Sequence, residues 1–253
     1  MQVTGPVASA FTYSLGKSLY IPLTSRCNAC TLPETRGPNF LLPADVVSAL
    51  CRVRDEENET EQWKHWCMYL DTQEGPQKLP KAQETVASLG ENKYKYPSAE
   101  TLAEEIQQQI DTGKYEAVVF AGEGEPTLRL GALVKIAETV SSGRSIPLRL
   151  TTNGLVQSSE TASLLQSSGI SSVSVALMTQ DPAQYKEIMR PKMIFDRVDP
   201  HDVVCQFIRT SLQTGLTVEV TGVARPDVDQ GKTEALAKSL GVTEPFRWRS
   251  YFP

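Results

Sequence analysis

The chain has 253 residues, of which 40% are hydrophobic, and a formal net charge of −5. This length and apolar content suit a single α/β domain with a sizeable core. The negative charge disfavours a nucleic-acid backbone as the main partner, because such a partner requires a basic surface. We find no apolar run near the roughly 18 residues of a membrane span and no targeting signal at the N-terminus. Five cysteines without secretory spacing favour a reducing compartment, so we expect a cytoplasmic protein.

The first informative feature is a pair of cysteines, Cys27 and Cys30, which follows a predicted strand over residues 18–23. Such a Cys-x2-Cys pair has several interpretations. A thioredoxin-like redox pair opens a helix, whereas residues 31–33, Thr-Leu-Pro, are not a typical helix start. A zinc site needs two further ligands, for which the His and Cys of residues 65–67 are the candidates. Two ordinary reduced thiols are the remaining interpretation.

One segment differs from the rest of the chain in composition. A short helix is predicted over residues 44–52. Residues 55–97 are then polar, acidic at the start and later rich in Lys and Pro, with an apolar island at 63–70. We interpret residues 55–97 as an insertion and expect it to be partly disordered.

Beyond residue 98 the pattern alternates regularly between helices and strands. The predicted helices are 100–111, 130–140, 160–167, a short helix opened by Asp181-Pro182, 203–212 and 232–240. The predicted strands are 117–121, 148–152, 172–178 and 217–223. Asp181 and Asp199 are predicted N-caps, each with a proline at the first helical position. Glycines at 113, 143, 169, 215 and 241 are predicted to close helices in the left-handed conformation.

Together with the strand at 18–23, these units predict an α/β fold with about six parallel strands and right-handed crossovers. An open, partial barrel and a doubly wound sheet both fit the pattern. In either architecture, ligands bind at the carboxyl ends of the strands, where the loops gather.

Two of these strand ends carry polar motifs. Residues 122–126 read Gly-Glu-Gly-Glu-Pro, in which glycine allows close backbone approach and Glu123 and Glu125 add negative charge suited to a cationic ligand. A plain strand-to-helix turn is the alternative interpretation. Residues 151–154 read Thr-Thr-Asn-Gly, which is also the pattern of a simple Asn-Gly turn.

The last predicted strand, residues 217–223, leads to a cation. Arg225 lies just beyond its carboxyl end. It is a candidate clamp for a carboxylate group, and an ordinary surface salt bridge is the equal alternative.

Taken in order, these segments resemble radical S-adenosylmethionine (SAM) proteins, in particular the group associated with TatD-type nucleases. The matching stretches are 19–26, 31–37, 120–130, 150–155, 173–191, 217–226 and the Phe-Arg-Trp-Arg of 246–249. The loop after the first strand departs from the family's Cys-x3-Cys-x2-Cys pattern. Cys27 and Cys30 lie one residue too close together, and the third cysteine is absent.

The resemblance implies a fold and a chemistry. The fold is a partial (βα)6 barrel over residues 1–253 with the insertion at 55–97. The cofactors are SAM and a [4Fe–4S] cluster whose metal ligands are Cys27 and Cys30, with Cys51, His65, Cys67 or solvent hydroxide as candidates for the missing ligand. In active members the cluster cleaves SAM reductively, which requires an electron donor and a substrate that no motif identifies.

The same resemblance assigns roles to individual residues. Gly124, Glu125 and Pro126 take the SAM ammonium through backbone groups, and Asn153 lies near the SAM ribose and carboxylate. Ser174 and Arg225 line the cavity. The alternative function is a cluster-free barrel that serves as a binding or regulatory module, with the acidic mouth and the 63–70 island as docking surfaces.

Overall fold

A computed structural model describes residues 11–253 except 45, 48, 51–97, 144, 157, 159 and 193–197. The predicted insertion at 55–97 lies outside the described residues. So do the candidate ligands Cys51, His65 and Cys67.

Seven strands form one sheet in sequential order. They are β1 (Tyr13–Leu15), β2 (Ser18–Ile21), β3 (Ala117–Phe120), β4 (Leu148–Thr152), β5 (Ile170–Ala176), β6 (Thr217–Val223) and β7 (Arg247–Arg249). β1 is antiparallel to β2, whereas β2 to β7 are all parallel. A doubly wound sheet reverses its strand order at a switch point, and this sheet does not. The predicted partial barrel with six parallel strands is therefore confirmed, and β1 is an addition that the sequence analysis missed.

The helices lie in the connections between the strands. They are α1 (Leu32–Thr35), α2 (Ala99–Asp111), α3 (Leu130–Gly143), α4 (Thr161–Ser167), α5 (Pro182–Met189), α6 (Pro200–Gln213) and α7 (Gln230–Ser239). A 3-10 turn, Pro126–Arg129, precedes α3, and residues 44, 46, 47, 49 and 50 are also helical. In the described part of the chain, no helix has both the length and the apolar character needed to cross a bilayer.

The predicted helix signals agree with the structure at most positions. Asp181 and Asp199 cap α5 and α6 by accepting hydrogen bonds from backbone N–H groups of the first turn. Gly169 has φ +98° and closes its helix as predicted. The prediction for Gly143 is wrong, because it is the last residue of α3 and its φ is not positive.

The core lies between the sheet and the helices. Alternate residues of the central strands point to this layer and are almost fully buried: Val118, Phe120, Leu148, Leu150, Val173, Val175, Val218 and Val220. Helices α2 and α3 contribute Ile106 and Leu133 to the same core. Since side chains alternate along a strand, the intervening residues line the concave face of the half-barrel. The carboxyl ends of the parallel strands β2 to β7, and the loops that follow them, lie at one edge of the sheet.

Candidate functional site

The cysteine loop after β2 is held from one side by the loop after β3. The Gly124 and Glu125 N–H groups donate to the carbonyl oxygens of Thr24 and Arg26, at 3.2 and 2.8 Å. A Cβ at position 124 would lie 2.3 Å from the Arg26 oxygen and 2.5 Å from the Thr24 oxygen. Glycine is therefore required at 124 because two backbone segments of this protein meet there.

The segment after α5 holds the loop from the opposite side. The Cys30 N–H donates to the Met189 oxygen at 2.6 Å, and the Lys192 N–H donates to the Asn28 oxygen at 2.8 Å. Arg190 ends α5 in the left-handed conformation with φ +45°, which turns the chain towards the loop. The cysteine loop is thus fixed by backbone hydrogen bonds to the segments on either side of it.

Glu125 is the most buried charged group at this edge, with 3% of its surface exposed. Its Oε1 accepts from the Thr127 N–H at 3.0 Å, the Thr127 hydroxyl at 2.7 Å and the Thr152 hydroxyl at 2.8 Å. Its Oε2 accepts from the Asn153 N–H at 2.8 Å. Burial raises the pKa of Glu125, and these hydrogen bonds act in the opposite direction. Four donors around two oxygens suit a carboxylate, so Glu125 ties the ends of β3 and β4 together as an anion.

Asn153 connects the end of β4 to the cysteine loop. Its Nδ2 donates to the Asn28 Oδ1 at 2.8 Å and lies 3.6 Å from the Cys27 Sγ. Asn28 in turn donates to the Leu155 oxygen at 2.9 Å. Gly154 has φ +75°, as an Asn-Gly turn requires. The Asn-Gly turn and the contact with the cysteine loop are therefore present together.

The Cys27 sulfur faces this network. Besides the Asn153 amide, it lies 3.9 Å from the Cys30 carbonyl oxygen. Burial, and next the negative charge of Glu125, raise the pKa of the Cys27 thiol to about 12. Cys27 is therefore protonated at neutral pH in this arrangement.

The Cys30 sulfur has different partners. The Arg190 guanidinium donates to it at 3.0 Å, and the Glu34 carboxylate lies 3.5 Å away. Burial raises the pKa of Cys30, and the hydrogen bond from Arg190 opposes that increase. Arg190 is exposed and Cys30 is buried, so the arginine covers the sulfur from the solvent side.

The expectation that no helix starts after Cys30 is wrong. α1 begins at Leu32, and Thr31 caps it in a reciprocal capping box with Glu34. The Thr-x-x-Glu signal is visible in the sequence. The helix has only four residues and begins after both cysteines. The cysteines therefore do not stand at the start of a helix as a thioredoxin-like pair does.

The structure separates the predicted site residues into two groups. Cys27 and Cys30 lie in the cysteine loop, and Gly124, Glu125 and Asn153 contact that loop, whereas Pro126 begins the 3-10 turn that follows. Two other predicted residues contact different partners. The Ser174 hydroxyl donates to the Glu219 Oε1 at 2.8 Å, and Arg225 forms a bidentate ion pair with Asp227 at 2.9 and 3.0 Å.

Sequence reasoning missed several residues that shape the site. Thr152 and Asn28 join the buried network, Arg190 covers Cys30, and the Lys192 Nζ donates to the Cys27 oxygen at 2.6 Å. An arginine between a helix end and Pro191 indicates a left-handed helix end, but nothing local indicates that it contacts a cysteine 160 positions away.

A family model described as the radical SAM superfamily matches residues 65–220, which is more than half of the chain. The chain belongs to the radical SAM superfamily. The match covers Glu125 and Asn153, whereas Cys27 and Cys30 precede it.

Individual relatives agree with this membership. The chain is 30% identical over 128 residues to a GTP 3′,8-cyclase of Bradyrhizobium diazoefficiens, a stretch that is 47% of this chain and 35% of the cyclase. The chain thus spans about a third of that relative's length. Among solved structures, Streptococcus suis SuiB is similar with a TM-score of 0.50 and 19% identity over 64% of this chain and 35% of SuiB. Native anSMEcpe with bound AdoMet has a TM-score of 0.50 and 13% identity, over 92% of this chain and 50% of its own. At these identities the two structures support the radical SAM fold alone.

A radical SAM cluster is held by three thiolates that converge from one loop. The described residues contain three cysteines, Cys27, Cys30 and Cys205, and the last lies in α6. Both loop sulfurs already have hydrogen-bonding neighbours in the protein. Across the described ranges, no group of three or more potential metal ligands gathers. The described part of this superfamily member therefore does not fit a three-thiolate cluster.

Proposed function

We propose that this chain is a SAM-binding member of the radical SAM superfamily, with its site at the carboxyl ends of β3, β4 and β5. The observation that carries the proposal is the buried Glu125 carboxylate, joined through Asn153 to the cysteine loop. A buried anion at this edge favours a cationic ligand, and SAM carries a sulfonium and an ammonium group. Gly124, Pro126, Ser174 and Arg225 remain predicted contacts of that ligand.

Reductive cleavage of SAM is the chemistry of the family, and it depends on the cluster. The described loop supplies two thiols and does not fit that cluster. The second candidate function is therefore a cluster-free barrel that acts as a binding module. The sulfur contacts favour it, because the sulfurs of Cys27 and Cys30 already have hydrogen-bonding neighbours in Asn153 and Arg190.

Calorimetric titration of the purified protein with SAM and with S-adenosylhomocysteine tests the binding proposal. The two ligands differ by the sulfonium charge. We expect SAM to bind about tenfold more tightly, since a unit charge about 10 Å from Glu125 at an effective dielectric constant of about 20 is worth over 1 kcal/mol. Absence of SAM binding would refute the proposal and leave the binding module.

Anaerobic reconstitution with iron and sulfide distinguishes the two candidates. A cluster gives broad absorbance near about 400 nm, and Cys27→Ala should abolish it. Cys205→Ala is the matched control, because Cys205 is also buried but lies in α6. Colourless protein that binds SAM supports the cluster-free candidate.

A further inference from the structure

Strand β7 sends two arginines to the concave face of the half-barrel. Trp248 faces the helix layer, where its Nε1 donates to the Glu234 Oε1 of α7 at 2.8 Å. A Cβ at Gly222 would lie 2.8 Å from the same indole ring. Since side chains alternate along a strand, Arg247 and Arg249 point to the opposite, concave side.

The neighbouring strands confirm this direction. The Arg247 Nη1 lies 3.6 Å from the Glu219 Oε1 of β6, and Glu219 is the residue that accepts from Ser174 on β5. Arg249 is half-buried, and both Glu219 and Tyr20 of β2 interact with it electrostatically. Arg249 is therefore within electrostatic range of residues on both β6 and β2.

Arg36 contributes a third guanidinium near the end of β7. Its Nε donates to the Ser250 oxygen at 2.7 Å, and its guanidinium lies 4.4 Å from the Phe40 ring and 5.4 Å from the Phe252 ring. These contacts fix the orientation of the side chain.

Arg36, Arg247 and Arg249 form an arginine cluster whose positive charge is not balanced by carboxylates. Burial lowers the pKa of Arg249, and the positive charges of Arg247 and Arg36 lower it further. Within the described ranges, the Arg249 side chain has no hydrogen bond or ion pair, and Glu219 is the one carboxylate that contacts Arg247. Three positive charges thus face a single negative one in a chain whose net charge is −5.

The arginine cluster also lies at the edge of the sheet where the strands have their carboxyl ends. Arg249 pairs with Val223, the last residue of β6, and its carbonyl oxygen accepts from the Ala224 N–H at 2.9 Å. This is the carboxyl end of the strands, where the cysteine loop and Asn153 also lie. A guanidinium presents several N–H donors in a plane that matches the oxygens of a carboxylate or phosphate.

We propose that Arg36, Arg247 and Arg249 form a binding site for an oxyanion group, a carboxylate or phosphate, of the substrate. The inference rests on the proposed function for the identity of the cofactor beside it. It assigns a substrate class, because an anionic group anchored here places the rest of the substrate over the concave face next to the SAM site.

The test is calorimetric titration of the full chain with inorganic pyrophosphate, with and without saturating SAM. We expect wild type to bind pyrophosphate and Arg249→Gln to bind it at least about tenfold more weakly, as loss of a charge-assisted hydrogen bond predicts. Arg247→Gln is a second variant, at a more exposed position, that should also weaken binding if Arg249→Gln does not fold. Arg209→Gln, on the exposed side of α6, is the matched control and should bind like wild type.

The titration with saturating SAM shows whether the anionic group belongs to the substrate or to SAM. If the three arginines bind the substrate, SAM and pyrophosphate bind together, and Arg249→Gln leaves the affinity for SAM within about twofold. Competition between SAM and pyrophosphate would mean that the three arginines bind the SAM carboxylate, and it would overturn the proposal. Absence of pyrophosphate binding, or equal loss in Arg209→Gln, would also overturn it. Failure of SAM to bind while pyrophosphate binding stays arginine-dependent would refute the proposed function alone.

Discussion

Glu125 shows how one side chain can organise a site without necessarily touching a ligand. Its two oxygens are surrounded by donors from Thr127, Thr152 and Asn153, so they hold the loop after β3 against the end of β4. Its negative charge is nevertheless felt beyond these bonds, because burial leaves little water to screen it. Burial raises the pKa of the Cys27 thiol, and the charge of Glu125 adds to that rise. A cationic ligand at this edge would benefit from the same charge.

Replacing Glu125 with glutamine tests whether the buried group is ionised. Glutamine keeps the shape but turns one acceptor into an N–H2 group that faces a donor. We expect Glu125→Gln to lower the free energy of unfolding by about 2–3 kcal/mol, as measured by urea denaturation. Glu138→Gln, on the exposed side of α3, is the control and should change stability by less than about 0.5 kcal/mol. A near-neutral Glu125→Gln would indicate a protonated carboxyl instead.

At the scale of the elements, the cysteine loop is held in position by hydrogen bonds from neighbouring segments. Backbone hydrogen bonds from the loop after β3 and from the segment after α5 fix it from two sides. A loop held in this way presents Cys27 and Cys30 in defined positions.

Gly124→Ala tests how much this docking contributes. The added Cβ would lie 2.3 Å from a backbone oxygen that cannot move without breaking the hydrogen bond to Glu125. We expect a loss of about 2–4 kcal/mol in urea denaturation, at the upper end of overpacking costs. Gly231→Ala in α7, whose nearest neighbour is a carboxylate oxygen at 3.6 Å, should instead gain about 0.5–1 kcal/mol. Similar midpoints for the two variants would contradict the docking role of position 124.

The elements were largely predictable because their signals are local. Asp-Pro pairs before α5 and α6 cap those helices as the sequence indicates. A glycine is more ambiguous, because it marks either a left-handed position or a place without room for a side chain. Gly143 has neither property clearly: its φ is not positive, and a Cβ there would meet the movable end of the Gln107 side chain, 2.1 Å from its Nε2.

The contacts of the site were less predictable, since they depend on tertiary structure. Arg190 and Cys30 are 160 residues apart and meet because the loop after β2 crosses the sheet edge next to the end of α5. The arginines of β7 likewise gain significance only once the register places Trp248 in the helix layer. Resemblance to the radical SAM family predicted the fold, but not which side chains face one another at the strand ends.

At the scale of the whole molecule, residues 36–40 and 250–253 connect the two ends of the open sheet. The Phe252 N–H donates to the Arg36 oxygen at 2.7 Å, and the Asn39 N–H donates to the Phe252 oxygen at 3.4 Å. The Phe40 and Phe252 rings lie 5.5 Å apart. The segment that follows the β2 loop is therefore bonded to the segment that follows β7, and Arg36 lies at this connection.

Gly37 is the residue that permits this connection. It has φ +101°, and a Cβ there would lie 2.1 Å from the Phe252 oxygen. We expect Gly37→Ala to break the contact and to expose the amides of Asn39 and Phe252 to fast hydrogen exchange, measured by mass spectrometry, while β3 to β6 stay protected. Gly16→Ala is the matched control, because Gly16 also has a positive φ but nothing within 4 Å. It should lose only about 1 kcal/mol to backbone strain and leave the exchange of residues 36–40 unchanged. Equal exchange in both variants would mean that the connection does not depend on the close approach at Gly37, and that Arg36 is positioned by its aromatic neighbours alone.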